Sequence, residues 1–147
     1  KLDKNVFIPT SNLVNKKIWS QKQVDDYIND IKRKGVIYSI GGDYISLFSE
    51  CDAIIHDCGS YMVEWLYTDK PCCFVVEDEK KLKNQLCLLG NKAIGFHVLA
   101  HNESEILDFI DKEKNRSYTK FANDEVKRNI MINYPHVSDY ILSNLFK

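Results

Sequence analysis

Six consecutive residues, Ile55-His56-Asp57-Cys58-Gly59-Ser60, gather much of the chemistry this chain could perform. They follow the apolar run Ala53-Ile54-Ile55-His56 and precede a short helical pattern from Ser60 to Tyr67, which makes them a strand-to-helix turn. Gly59 has no Cβ to hold a ligand off the backbone, and it tolerates a left-handed conformation should the turn require one. Ser60 falls at the helix start, where unpaired backbone N–H groups and the helix dipole favour an anion such as phosphate. Its hydroxyl can donate to a phosphate oxygen. Glu64 lies four residues on, on the same helix face, where a carboxylate could accept both hydroxyls of a ribose. The spacing equally suits a Ser60 that only caps its helix and a solvated Glu64, and both readings stand at this point. A pyrophosphate would repel the carboxylate of Asp57, so that residue is expected to brace the loop by accepting its N–H groups.

Other residues invite the same weighing. His56 is read as a buried or loop-bracing histidine, with a ligand contact as the alternative. His97 and His101 flank a strand end near the expected ligand edge, so either could approach a nucleobase or phosphate or serve only the core or the surface. Gly41 and Gly42 end a strand on that edge, where a base could lie against the backbone or the chain could simply turn. His136, behind Pro135, is read as structural. So is Lys70-Pro71, with Pro71 tolerated at the first residue of a strand. Lys80, Lys81 and Lys83, like Lys112, Lys114 and Arg116, are mixed with acids and read as solvated faces.

The elements that must position these groups alternate along the chain. Ser20 and Gln23 form a capping box for a helix over 20–34, with Val24, Tyr27, Ile28 and Ile31 inward and Gly35 as its stop. A β-branched run, Val36 to Ile40, follows, and Asp43 can cap a short helix through Tyr44, Leu47 and Phe48. Beyond Ala53–His56, strands are expected at Pro71–Val76 and Gly95–Leu99. Helices are expected over 79–89, stopped by Gly90, and after Asn102, which pairs with Glu105 in a cap and turns Ile106, Phe109 and Ile110 inward. Two more should cover 117–132, with Val126 and Ile130 buried, and 136–146, with Val137, Ile141 and Leu145 as the inward stripe. Apolar strands alternating with helices predict an α/β fold, a three-layer, Rossmann-like parallel sheet with helices on both faces. Ligands bind such sheets outside the carboxyl ends of the strands.

Composition narrows the class. The 147 residues fit a single domain over 1–147, and a hydrophobic share of 44% suffices for a core at this size. Twenty basic against 21 acidic residues leave a net charge of −1, which argues against nucleic acid as a partner. The 12% aromatic content excludes disorder as the default. Five cysteines with no CxxC spacing point to reduced thiols, a cytoplasmic setting and no metal site. Because the chain begins at Lys1, a fragment of a longer protein is expected. Loss of a first strand would expose a sheet edge and favour a homodimer.

The stretch from Phe48 to Pro71 resembles the signature of the CDP-glycerol glycerophosphotransferase family, whose members build teichoic acids and related envelope polymers. The carrying residues are Cys51-Asp52 before the apolar strand, Asp57-Cys58-Gly59-Ser60 after it, and Lys70-Pro71 opening the next strand. Gly59 stands where the family has serine. The likeness is close over 44–78 and elsewhere lies only in the order of elements. It implies the C-terminal, donor-binding half of a GT-B fold, with Cys58, Gly59 and Ser60 at the pyrophosphate, Glu64 at the ribose, and Gly41, Gly42 and His97 as candidate base or phosphate contacts. The family's His-Pro element and acceptor-binding half would lie before Lys1, so no catalytic residue is assigned and the chain alone is expected not to turn over. The implied partners are a CDP-activated or similar nucleotide donor and a polymer acceptor, with no cofactor, at the inner face of a bacterial membrane.

Three other readings stand beside it. The pattern of Asp57, Gly59, Ser60 and Glu64 also resembles the wider GT-B group, including UDP-N-acetylglucosamine 2-epimerases and nucleotide-sugar transferases. A receiver-like signalling module would use Asp57 as phospho-acceptor, yet no acidic pair follows Val36–Ile40 and Lys70-Pro71 precedes a strand rather than following one. A non-catalytic interaction domain would keep only the fold.

Overall fold

A computed structural model of the chain describes residues 4–6, 10–38, 44–115 and 123–145; for 4–6, 10–12, 123 and 127 the description is of the backbone alone. The chain divides into two compact units, 1–51 and 52–147.

In the first unit, β1 (Lys4–Val6) pairs in parallel with β2 (Val36–Tyr38), Lys4 opposite Val36. Helices α1 (Thr10–Asn15) and α2 (Gln21–Arg33) lie between them in sequence, and α3 (Tyr44–Glu50) follows. The expected capping box is present. Ser20 Oγ accepts from the Gln23 N–H at 3.3 Å, and Gln23 Oε1 accepts from the Ser20 N–H at 2.8 Å. Val24 and Ile31 are buried, as the periodicity predicts, and Gly35 ends the helix at φ +78°, a conformation that favours glycine. Strand β1 and helix α1 were not anticipated, because elements of three and six residues carry too little periodicity to read. Gly41, Gly42 and Asp43 lie outside the described residues.

The second unit is a mixed α/β structure around a three-stranded parallel sheet flanked by helices. Strands β3 (Ile54–His56), β4 (Cys72–Val75) and β5 (Val98–Ala100) lie in that spatial order. Ile54 stands opposite Cys72 and Cys73 opposite Val98. Between β3 and β4 run α4 (Tyr61–Glu64) and a 3₁₀ turn at Trp65–Thr68; between β4 and β5 run α5 (Glu79–Gln85), α6 (Leu88–Ala93) and a 3₁₀ turn at Ile94–Phe96. Helices α7 (Glu103–Lys114), α8 (Asn123–Asn129) and α9 (Val137–Leu145) follow. Successive strand residues face opposite sides, so the two adjacent cysteines enter two different layers. Cys73 packs with Ala100 and Phe109 of α7, flanked by Ala53, Val98, Ile106 and Ile110. Cys72 and Phe74 face the other side.

Three sequence expectations change here. Gly90 does not stop a helix over 79–89. Leu86 is extended, α5 ends before it, and Gly90 is buried inside α6. Residues 94–96 form a 3₁₀ turn, so β5 starts at Val98 and His97 precedes the strand. In α9 the expected inward stripe of Val137, Ile141 and Leu145 is exposed, whereas Val126 and Ile130 of the preceding segment are buried as expected.

Candidate functional site

Strand β3 ends at His56, and Asp57–Ser60 lead into α4, so this loop leaves the carboxyl end of a parallel strand. The helix it enters is anchored at its far end. The indole N–H of Trp65, which is 1% exposed, donates to the carbonyls of Lys70 and Pro71, each at 3.0 Å. Those two carbonyls immediately precede β4, which gives Lys70-Pro71 the structural role expected of it.

On the loop itself, Ser60 is exposed, already helical at φ −63° and ψ −44°, and makes no side-chain capping bond. A capping serine would sit in the extended region, so this hydroxyl is left facing outward. Gly59 is exposed and does not use the left-handed region; a Cβ built on it meets nothing within 4 Å. Glu64 is exposed one turn later, without a hydrogen bond or ion pair among the described residues. Gly59, Ser60 and Glu64 thus share one loop and one helical turn, with their polar groups uncommitted.

The loop's brace comes from His56, not from Asp57. Asp57 is exposed and accepts no hydrogen bond among the described residues. His56 is 92% buried, and its Nδ1 lies 3.0 Å from the carbonyl oxygen of Cys58. A carbonyl only accepts, so this contact puts the imidazole proton on Nδ1. His97 repeats the arrangement, with Nδ1 3.0 Å from the Ala93 carbonyl.

These two rings meet, with centroids 5.3 Å apart, and Phe74 packs edge-on against His56 at 5.1 Å. Both Nε2 atoms are buried and have no hydrogen-bond partner among the described residues. Burial lowers the pKa of His56 below the usual histidine value. For His97, burial first, and then the neighbouring His56, pushes it down to about 4. Both imidazoles are therefore neutral at pH 7. His97 is buried, which favours the core role of the two that its sequence position left open.

A second cluster lies beyond the carboxyl ends of β4 and β5, and the sequence reading missed it. His101 Nδ1 is 3.0 Å from Glu105 Oε2, and its Nε2 is 3.1 Å from Glu79 Oε1. The i,i+4 spacing of His101 and Glu105 was a readable signal; the approach of Glu79 from α5 was not. His136 is exposed, 3.5 Å from Asp139. A surface groove in the first unit is lined by Asp26, Asn29, Lys32 and Arg33, and one in the second by Arg128, Met131, Tyr134 and Pro135. Neither includes a residue of the 56–64 segment.

Among the described residues no helix is long and apolar enough to cross a membrane, and no group of three or more His, Cys, Asp or Glu side chains is placed to hold a metal ion. The chain matches no family model, no curated protein and no solved structure.

Proposed function

We propose that this chain is the donor-binding part of a transferase of the CDP-glycerol glycerophosphotransferase type, the C-terminal half of a GT-B fold that takes a nucleotide-activated polyol phosphate or sugar. The observation that carries this reading is the loop at the carboxyl end of β3, where Gly59, Ser60 and Glu64 stand exposed with uncommitted polar groups. In parallel α/β sheets ligands bind outside the carboxyl ends of the strands, and this loop leaves the carboxyl end of β3.

In this reading the Ser60 hydroxyl donates to the diphosphate, the open backbone at Cys58–Gly59 lets the phosphate approach closely, and Glu64 accepts from the ribose. Transfer then depends on positioning the donor and stabilising the leaving nucleotide. The acceptor is an envelope or capsular polymer at the inner face of a bacterial membrane, held by a domain outside this chain.

Calorimetric titration with CDP, UDP, GDP and CMP side by side tests the proposal. Tighter binding of CDP than of UDP and CMP is the expected result. A preference for UDP or GDP moves the chain to the nucleotide-sugar transferases or 2-epimerases. No binding of any of the four removes the site from this chain.

A further inference from the structure

We propose that His56 is the positioning residue of the 57–60 loop, and that it acts only as the Nδ1–H tautomer, which its burial against His97 preserves. The proposal deepens the donor-site reading, and rests on it for what the loop holds but not for how the loop is held.

A neutral imidazole has one donor and one acceptor, and which nitrogen donates is set by the surroundings. At His56 the donor is committed to the Cys58 carbonyl at 3.0 Å, two residues along the same loop. This bond closes the turn between the end of β3 and the residues that carry Gly59 and Ser60. Among the described residues it is the only side-chain hydrogen bond to the loop backbone.

The other nitrogen is buried against a second imidazole. His56 Nε2 is buried and unpartnered, as is the Nε2 of His97, whose ring stands 5.3 Å away. Phe74 and Tyr61 close around the His56 ring with centroids at 5.1 and 6.4 Å. Moving the proton to Nε2 would break the loop bond and leave the Cys58 carbonyl without its donor. Adding a second proton would place a buried charge beside another imidazole, an unfavourable position. The titratable groups that face it are Asp57 and Cys58 on its own loop, Tyr61 on α4 and His97 before β5. Asp57 is exposed. The pair therefore holds one protonation state and one tautomer, and with them one loop geometry.

Amide side chains separate this role from mere filling of space. Asparagine places its N–H near the position of Nδ1, while glutamine places its N–H near Nε2. Cys58 supplies a readout on the loop itself: in a Cys51→Ser, Cys87→Ser background it is the one thiol not fully buried. Its rate of reaction with a thiol-exchange reagent reports loop opening without any nucleotide present.

The expected result is that His56→Asn reacts within about twofold of the parent, whereas His56→Gln and His56→Ala react at least about fivefold faster, a ratio that one net hydrogen bond supports. Glutamine as slow as the parent, or asparagine as fast as alanine, overturns the proposal. Should the variants not fold, the ¹⁵N shifts of the parent's imidazoles decide: a protonated Nδ1 with a bare Nε2 upholds it, and the reverse tautomer overturns it. CDP affinity in the same proteins should follow the thiol, unchanged in His56→Asn and about fivefold weaker in His56→Gln, because the same bond is lost. If the parent binds no CDP, the donor reading fails, and the thiol comparison alone upholds or overturns the brace.

Discussion

His101 Nε2 stands 3.1 Å from Glu79 Oε1, joining the residue that follows β5 to the first turn of the helix that follows β4. The opposite nitrogen meets Glu105 at 3.0 Å, and carboxylates only accept, so the arrangement is complete only when both ring nitrogens are protonated. Glu105 serves three donors at once, the His101 backbone N–H at 2.8 Å, the His101 ring and the Asn102 amide at 2.8 Å.

The first prediction is a raised titration for His101. The hydrogen bond to Glu105 leads, and the charges of Glu105 and Glu79 add to it, so its folded pKa lies above 6.5. A raised histidine contributes stability that is fully present below the unfolded value and is lost as pH rises through the folded value. Proton NMR should show His101 titrating later than an unperturbed histidine, and Glu105→Gln should bring it back. A His101 that titrates at or below 6.5 in the parent removes the bridge.

His97 should behave in the opposite sense. With its folded pKa pushed down to about 4, its contribution is present above 6.5 and is lost as pH falls through the folded value. The second unit should lose roughly 3 kcal/mol from this group between about pH 7 and about pH 3, with His56 adding in the same direction. Urea unfolding followed by the fluorescence of buried Trp65, repeated across that range, measures it. A midpoint that does not move with acid would contradict a neutral, buried pair.

How much of this was legible beforehand differs from residue to residue. The caps at Ser20 and Asn102 were readable because their partners, Gln23 and Glu105, lie three residues away and the bonds are local. Gly90 misled because glycine is the usual stop signal, while the break falls at Leu86 and the next helix is capped by the thiol of Cys87, which accepts from the Gly90 N–H at 3.5 Å. A thiol cap leaves no recognised mark in sequence. The place of His97 near a strand end left a ligand contact and a core role open, because the Ala93 carbonyl that captures its ring is brought close by a 3₁₀ turn that the sequence did not mark. In α9, periodicity placed Val137, Ile141 and Leu145 on one side; it holds no information about whether a surface meets that side. At the candidate site the residue types and spacing of Gly59, Ser60 and Glu64 were readable, and so was a buried or loop-bracing His56, whose bond to Cys58 is local; its meeting with His97 needed the packing of the strands.

The core under α7 should be sensitive at one residue and tolerant at its neighbour. Phe109 is 1% exposed and touches the layer of Cys73 and Ala100, so Phe109→Ala should cost about 3–5 kcal/mol. Leu107, 53% exposed on the same helix, should lose no more than about 0.5 kcal/mol when cut to alanine. Equal costs for the two would mean that α7 presents a different face to the sheet.

At the loop, binding and stability should separate. Gly59→Ala meets no atom within 4 Å and needs no left-handed backbone, so it should leave stability unchanged or raise it by about 0.4–1 kcal/mol. The added methyl should nonetheless weaken CDP binding if the diphosphate lies against that backbone. Ser60→Ala should cost about 1–3 kcal/mol in CDP affinity. Glu64→Gln should weaken nucleotide binding and spare inorganic pyrophosphate. Calorimetry on the three variants, beside thermal melts, reads both quantities; affinity unchanged in all three would clear the loop of any role in binding.

Cys72 and Cys73 give β4 a timer of its own. Burial pushes the first thiol up to about 12 and the second up to about 11, and each is enclosed by a different layer. Neither forms an appreciable thiolate near neutrality, so alkylation of either waits until the strand is uncovered. Cys87, exposed on the surface, reacts at once and marks time zero. In a Cys51→Ser, Cys58→Ser background, which removes the two part-buried thiols, the delay before the next two adducts is the lifetime of the closed sheet. If both adducts arrive together, the two layers part in a single event; if one precedes the other, its cysteine names the layer that lifts first.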